Sequence, residues 1–135
     1  LGVLAAEQLD LPFVYVRTKA KTHGLGNSIE GKIDNKNRVC VVEDLVSTGK
    51  SSLEAVEAIR HAGATVLGMV SVFTYGLALA KEAMEQSQCP LFSLQTYDGL
   101  IERALSSGQI SQQEIAILRQ WQQNPQLWSE NFLKK

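Results

Sequence analysis

The segment that most constrains the fold of this chain is formed by residues 39–52, which read VCVVEDLVSTGKSS. Four apolar residues come first, and two acids, Glu43 and Asp44, follow them directly. A short apolar run that ends so abruptly is typical of a strand buried on both faces of a parallel sheet. We therefore predict a buried strand over residues 39–42, with both carboxylates at its carboxyl end, where open α/β sheets bind their ligands.

A loop rich in hydroxyl groups and glycine follows the two acids and leads directly into a helical pattern. Backbone N–H groups at a helix N-terminus bind anions, and the helix dipole adds about half a positive charge there. Carboxylates repel phosphate, so acids beside a phosphate loop make sense if they accept hydrogen bonds from hydroxyl groups of the same ligand. A ribose 5-phosphate offers both groups, and the segment predicts a site of that kind.

Two other interpretations of this segment are an ordinary strand–turn–helix unit without a ligand and a nucleotide P-loop. The P-loop motif needs a glycine five positions before the glycine of its Gly-Lys-Ser end. That end is represented by Gly49, Lys50 and Ser51, but the required position holds Asp44. The P-loop interpretation is therefore excluded.

Composition limits the classes of partner. The chain has 135 residues, of which 44% are hydrophobic and 20% charged, and its net charge is −1, which suits one domain over residues 1–135. Such a charge gives no support for nucleic-acid binding or a membrane surface, and no apolar run approaches a membrane span. Cys40 and Cys89 lack CxxC spacing, which favours reduced thiols over a disulfide. Reduced thiols in turn favour a cytoplasmic protein.

Strand and helix patterns alternate along the chain, which predicts a parallel sheet flanked by helices in an α/β fold. We expect the tail after residue 123 to form a last turn or short helix, with Trp128 and Phe132 packed on the body of the domain. His61 is expected on the surface. The predicted strands are residues 11–17, 39–42, 65–73 and 90–94, and the predicted helices are residues 1–10, 51–62, 76–88, 97–107 and 111–123.

A basic segment follows the first predicted strand. Arg17, Lys19, Lys21 and His23 place up to four cationic groups within seven residues, and glycines follow them. One interpretation is a solvated, mobile loop that happens to be basic. Beside a ribose-phosphate site, the alternative is a loop that neutralises a departing pyrophosphate.

Two motifs carry a resemblance to a known family. VVEDLVSTGKS resembles the phosphoribosyl pyrophosphate (PRPP) signature of the type I phosphoribosyltransferases. VRTKAKTHGLGNSIEG is similar to the catalytic loop of the orotate phosphoribosyltransferases, where Arg17, Lys21, His23 and Gly24 match the family pattern and Thr18 departs from it. The resemblance extends over essentially all 135 residues. It implies the type I phosphoribosyltransferase fold, in an N-terminally truncated chain that lacks the family's N-terminal hood.

The resemblance also implies an activity, namely transfer of ribose 5-phosphate from PRPP to orotate by a cytoplasmic enzyme of pyrimidine biosynthesis. Mg²⁺ is expected as the PRPP complex, without a metal site of the protein's own, and a homodimer is expected to share the basic loop between subunits. The implied catalytic residues are Arg17, Lys21, His23 and Asp44. The implied PRPP-binding residues are Arg17, Lys21, His23, Glu43, Asp44, Leu45, Val46, Ser47, Thr48, Gly49, Lys50 and Ser51.

The acceptor base is the least specified part of this resemblance. Many orotate enzymes have an Asp-Arg pair after the strand that corresponds to residues 66–73, and the arginine contacts the orotate carboxylate. Here Thr74 and Tyr75 hold those positions, so Ser47 is the expected orotate contact. There are two alternatives to an orotate enzyme, namely a purine phosphoribosyltransferase and a PRPP-sensing regulatory protein without catalysis. Base-dependent release of pyrophosphate separates the three.

Overall fold

A computed structural model of the chain describes residues 1–17 and 28–133, without the side chains of the last two of these. The predicted packing of Phe132 lies outside the described side chains. The elements are α1 (Gly2–Gln8), β1 (Tyr15–Val16), β2 (Ile29–Glu30), β3 (Arg38–Val46), α2 (Lys50–His61), β4 (Thr65–Thr74), α3 (Ala78–Gln86), β5 (Leu91–Thr96), α4 (Tyr97–Ser106), α5 (Gln112–Gln123) and α6 (Pro125–Leu133).

A parallel sheet in the order β3-β4-β5 forms the centre of the described fold. The predicted α/β fold with a parallel sheet flanked by helices is therefore confirmed. The strand predicted over residues 11–17 is wrong in extent, because only Tyr15–Val16 is a strand, and it pairs with β2 in a separate antiparallel hairpin. Pro12 precedes it and has no N–H group to donate to a ladder.

Helix boundaries were well predicted because their signals are local. α2 is followed by Gly63 in a left-handed conformation at φ +91°, which glycine adopts without a steric penalty. Ser111 and Glu114 form a reciprocal capping box at the start of α5. His61 is exposed, as expected, with Nδ1 2.7 Å from the carbonyl oxygen of Glu57.

The covered face of the sheet packs against α2 and α3. Apolar side chains from both helices meet those of β3 and β4, and burying such side chains is the main stabilising contribution in a domain of this size. The buried residues of this first core are Val41, Val46, Val56, Ile59, Ala64, Met69, Ala80, Met84 and Cys89.

The opposite face of the sheet is largely uncovered, so the prediction that residues 39–42 are buried on both faces is wrong. Val42 is 39% exposed, and Phe92 and Leu94 on β5 are 67% and 76% exposed. Cys40 is also exposed rather than buried, and both thiols are free. The helix that approaches this face is α1, in which a Cβ added at Gly2 would lie 3.7 Å from Cβ of Val42. That contact covers only part of β3.

A second core joins the end of β4 to α4 and α5. Tyr97, Ile101 and Ile115 are its buried members, and the partly buried Phe73 and Trp121 pack against them. Among the described residues, no helix combines the length and apolar character that crossing a bilayer requires.

The burial of Met69 gives a test of the first core. Met69 is 0% exposed, so Met69→Ala should lower the free energy of unfolding by about 2–5 kcal/mol, because it removes buried methylene groups and leaves a cavity. Leu94→Ala, at an exposed position of the neighbouring strand, should cost less than about 1 kcal/mol. Urea unfolding of both variants checks the assignment, and equal losses would contradict it.

Candidate functional site

The predicted ligand loop lies where β3 ends and α2 begins. β3 ends at Val46 and α2 begins at Lys50, so the loop consists of the three residues between them. In the register of the sheet, Val46 pairs with Thr74 of β4, and Thr74 pairs with Thr96 of β5. The last residues of three strands therefore form one row at the carboxyl edge of the sheet, beside the loop.

The N-terminus of α2 is suited to bind an anion. Its N-cap residue, Gly49, makes no side-chain capping hydrogen bond, and the first turn of α2 contains no acidic residue. By contrast, Thr96 caps α4 and Ser111 caps α5 through their hydroxyl groups. The first N–H groups of a helix have no partner within the helix, so those of α2 are donors that a phosphate group can use.

Two features favour glycine at position 49. Gly49 has φ +79°, in the left-handed region that favours glycine. A Cβ built at this position would lie 3.0 Å from Cε of Met84 on α3. The loop is therefore seated closely against α3 just before α2 begins.

The side chains of the loop differ in exposure. Ser47 is half-buried, whereas Thr48, Lys50 and Ser51 are exposed. These residues place hydroxyl groups and one cation beside the helix N-terminus. Of the other two predicted PRPP contacts in this segment, Leu45 is exposed, whereas Val46 is only 1% exposed and lies beneath the loop.

The two acids lie within β3 rather than after it, because the strand continues to Val46 instead of ending at Val42. Successive side chains of a strand point to opposite faces, so Glu43 and Asp44 leave the backbone in opposite directions. Glu43 is half-buried, whereas Asp44 is exposed and its Oδ1 accepts a hydrogen bond of 2.7 Å from the N–H of Leu45. A ligand that contacts both carboxylates has to reach across the strand, and their joint binding of a ribose diol stays a prediction.

Arg17 is the one predicted cation of the basic loop that the described residues contain. Its guanidinium pairs with the carboxylate of Glu30 on β2, and its N–H donates a hydrogen bond of 2.7 Å to the carbonyl oxygen of Ser28. The predicted residues Lys21, His23 and Gly24 lie outside the described residues. Arg17 directly follows β1 and is the first residue of the predicted basic segment.

Tyr75 belongs to the second core. Its ring centroid lies 5.3 Å from those of Phe73 and Trp121 and 5.9 Å from that of Tyr97. Burial raises the pKa of Tyr97, and Tyr75 and Asp98 add to the increase. The side chain at position 75 therefore attaches α4 and α5 to the sheet. This explains what the aromatic residue does at a position where the resemblance leads one to expect an arginine.

A groove of about 650 Å³ lies between α3, the end of β4 and the length of β5. Its polar lining includes Thr74, Ser93 and Thr96, and Lys81 and Glu85 add charged groups. This groove was not predicted from the sequence. The signal in the sequence that could have indicated it is a threonine at the end of each of two consecutive strands, β4 and β5.

Comparison with known proteins finds relatives that share one name, although no family model matches the chain. The chain is 50% identical over 125 residues to the orotate phosphoribosyltransferase of Listeria innocua, an alignment that covers 93% of this chain and 60% of that protein. The chain is a homologue of the orotate phosphoribosyltransferases. It spans 60% of the length of this curated relative.

Solved structures extend the relationship to the fold. An orotate phosphoribosyltransferase from Aeropyrum pernix matches with a TM-score of 0.65 and 29% identity, over 75% of this chain and 56% of that one. The Mycobacterium tuberculosis orotate phosphoribosyltransferase in complex with PRPP matches with a TM-score of 0.54 and 31% identity, over 72% and 57%. The fold predicted from the resemblance, that of the type I phosphoribosyltransferases, is confirmed.

The ion pair of Arg17 gives a test of the cationic part of the site. Glu30→Gln should strengthen binding of pyrophosphate by about two- to fivefold, because an exposed ion pair contributes up to about 1 kcal/mol that Arg17 must give up to contact an anion. Glu57→Gln is the matched control, since it removes a similarly exposed pair with Arg60 on the outside of α2. Calorimetric titration with pyrophosphate measures both, and an equal change in the two variants would contradict the role of Arg17.

Proposed function

We propose that this protein transfers ribose 5-phosphate from PRPP to N1 of orotate, giving orotidine 5′-monophosphate and pyrophosphate, as a glycosyltransferase of de novo UMP biosynthesis. The observation that carries the proposal is the uncapped N-terminus of α2, which lies one short loop beyond the acids of β3 at the carboxyl edge of the sheet. The relative named orotate phosphoribosyltransferase, at 50% identity, supports it.

The 5′-phosphate is the part of PRPP that the loop would bind. The N–H groups at the start of α2 and the hydroxyl groups of Thr48 and Ser51 are the donors for it, and Lys50 adds a positive charge. Asp44, with Glu43, would accept hydrogen bonds from the ribose hydroxyl groups. Their negative charge also stabilises positive charge that develops on the sugar as the bond at C1 breaks.

The leaving group requires cations. Bond breaking at C1 concentrates negative charge on pyrophosphate, and the protein contributes mainly position and electrostatic stabilisation. Arg17, Lys21 and His23 are the proposed groups that meet this charge. By analogy with single oxyanion donors, each contributes about 3–4 kcal/mol to the stability of the transition state. Arg17 has to exchange Glu30 for the leaving group to do so.

Orotate would be held without an arginine from position 75, since the side chain there packs in the second core. The half-buried Ser47 lies between the end of β3 and the phosphate loop, and we propose its hydroxyl and backbone as contacts of the base. Neutral hydrogen-bonding groups then take the place of direct charge pairing from that position.

Mg²⁺ is proposed as a complex with PRPP, held by diphosphate and ribose oxygens. Within the described ranges, no three His, Cys, Asp or Glu side chains converge in a way that could hold a metal ion. The exposed carboxylate of Asp44 beside a phosphate loop fits a hydrated Mg²⁺, which usually combines substrate phosphates with one or two carboxylates. The ion would neutralise charge on the diphosphate. We further propose a cytoplasmic homodimer in which the basic loop is shared between subunits.

The activity is tested by the loss of orotate absorbance in the ultraviolet with PRPP and Mg²⁺. The proposal expects orotate-dependent release of pyrophosphate, and no release with adenine or hypoxanthine. Release with a purine base would make the protein a purine phosphoribosyltransferase. Binding of PRPP without release with any base would make it a PRPP-sensing protein.

The basic loop has a separate test. Lys21→Ala should lower kcat by about 10²–10³, because it removes a cation that stabilises the transition state, while the Kd for PRPP changes little. Lys36→Ala is the control, since Lys36 is an exposed lysine in the turn at the amino end of β3, away from the carboxyl edge. Steady-state kinetics and PRPP titration give both parameters. An unchanged kcat in Lys21→Ala would refute the role of the loop.

A further inference from the structure

Thr74, the last residue of β4, uses its buried hydroxyl in two hydrogen bonds. It is 8% exposed, and its hydroxyl donates a hydrogen bond of 3.2 Å to the carbonyl oxygen of Val46. The same oxygen atom of Thr74 accepts a hydrogen bond of 3.1 Å from the N–H of Gly76. Because both its donor and its acceptor functions are used, the orientation of this hydroxyl is fixed.

The carbonyl that Thr74 holds belongs to the peptide bond that starts the phosphate loop. Val46 is the last residue of β3, and its carbonyl oxygen also accepts a hydrogen bond of 3.2 Å from the N–H of Tyr75. A peptide bond is planar and trans, so its C=O and N–H groups point in opposite directions. Two donors from the end of β4 therefore fix the direction of the N–H of Ser47, the first residue of the loop.

The other end of the loop is fixed by packing. Gly49 lies against α3, where an added Cβ would be 3.0 Å from Cε of Met84 and 3.9 Å from Cα of Ala80. Only Ser47 and Thr48 lie between this contact and the carbonyl held by Thr74. The position of the loop backbone thus depends on two hydrogen bonds to the carbonyl of Val46 at its entrance and on one close contact at its exit.

We propose that Thr74 is a positioning residue for the phosphate loop, acting through the carbonyl of Val46 rather than by touching the ligand. This inference rests on the proposed function of the loop and adds a residue to it. A pre-set loop presents its N–H groups to an anion without a further loss of conformational entropy on binding. Without the hydroxyl, the carbonyl of Val46 keeps only the N–H of Tyr75, and more of the ordering of the loop falls to the ligand.

The hydroxyl group, rather than the volume of the side chain, is the element that the proposal requires. Thr74→Val keeps the shape but leaves the N–H of Gly76 without this acceptor and the carbonyl of Val46 with one donor fewer. Thr74→Ser keeps the hydroxyl and loses only a methyl group. Ser71→Ala is the matched control, because Ser71 is a fully buried residue of the same strand whose hydroxyl lies 2.6 Å from that of Ser93 on β5, away from the loop.

The experiment measures loop order and ligand binding in the same four proteins. Amide ¹⁵N relaxation of Ser47, Thr48 and Gly49 reports their order parameters, and calorimetry reports the Kd for PRPP. In Thr74→Val we expect the order parameters to fall from about 0.85 to below about 0.6 and the Kd to rise about tenfold. Thr74→Ser should retain most of both values, and Ser71→Ala should lower the melting temperature without changing either.

Two outcomes would overturn the proposal. One is a Thr74→Val protein whose loop amides are as ordered as those of the wild type. The other is an equal loss of loop order in Ser71→Ala, which would show a general structural effect. If the wild-type protein does not bind PRPP, the proposed function fails, whereas the relaxation comparison still decides whether Thr74 positions the loop.

Discussion

The parallel pairing of β3 with β4 is the constraint on which the rest of the structure depends. It holds β3 extended through Glu43 and Asp44 and brings Val46 level with Thr74 at the carboxyl edge. On the covered side, the same pairing places Val41 beside Met69, where α2 and α3 close the first core. The loop between β3 and α2 is then short and anchored at both ends. Burial on one side of the sheet and the position of the proposed ligand loop at its edge thus have a common origin in one strand pair.

The N-terminus of α2 shows how the choice of one residue can leave a helix end available for an anion. A side-chain cap at position 49 would satisfy one of the N–H groups at the start of α2, and an acid in the first turn would repel phosphate. Glycine at the N-cap and no acid in that turn leave the helix with partial positive charge beside hydroxyl groups. Thr96 and Ser111 cap α4 and α5 through their hydroxyl groups, whereas α3, like α2, has no side-chain cap.

Elements were predicted correctly where the signal is local, and wrongly where their limits depend on pairing between strands far apart in the sequence. The limits of α2 and α5 follow from residues within a few positions of each other, such as Gly63 and the capping box at Ser111, and both helices were predicted to within a residue at each end. The end of β3 was not, because two acids interrupt the apolar run, whereas pairing with β4 continues through Leu45 and Val46. The Arg17–Glu30 pair also depends on strand pairing, in the β1–β2 hairpin. In the sequence, position 74 stood out only because Thr74 replaces a charged residue of the family pattern. The contact of its hydroxyl with the carbonyl of Val46 depends on the pairing of β3 with β4 and was not predictable.

The uncovered face of the sheet has a consequence for how this chain behaves in solution. Phe92 and Leu94 present large apolar side chains on the edge strand of the described sheet, and surfaces of this kind favour association between copies. Multivalent anions such as phosphate and sulfate are excluded from protein surfaces and strengthen apolar contacts. These anions therefore promote clustering of the chain at high concentration, and light scattering in a titration records this effect.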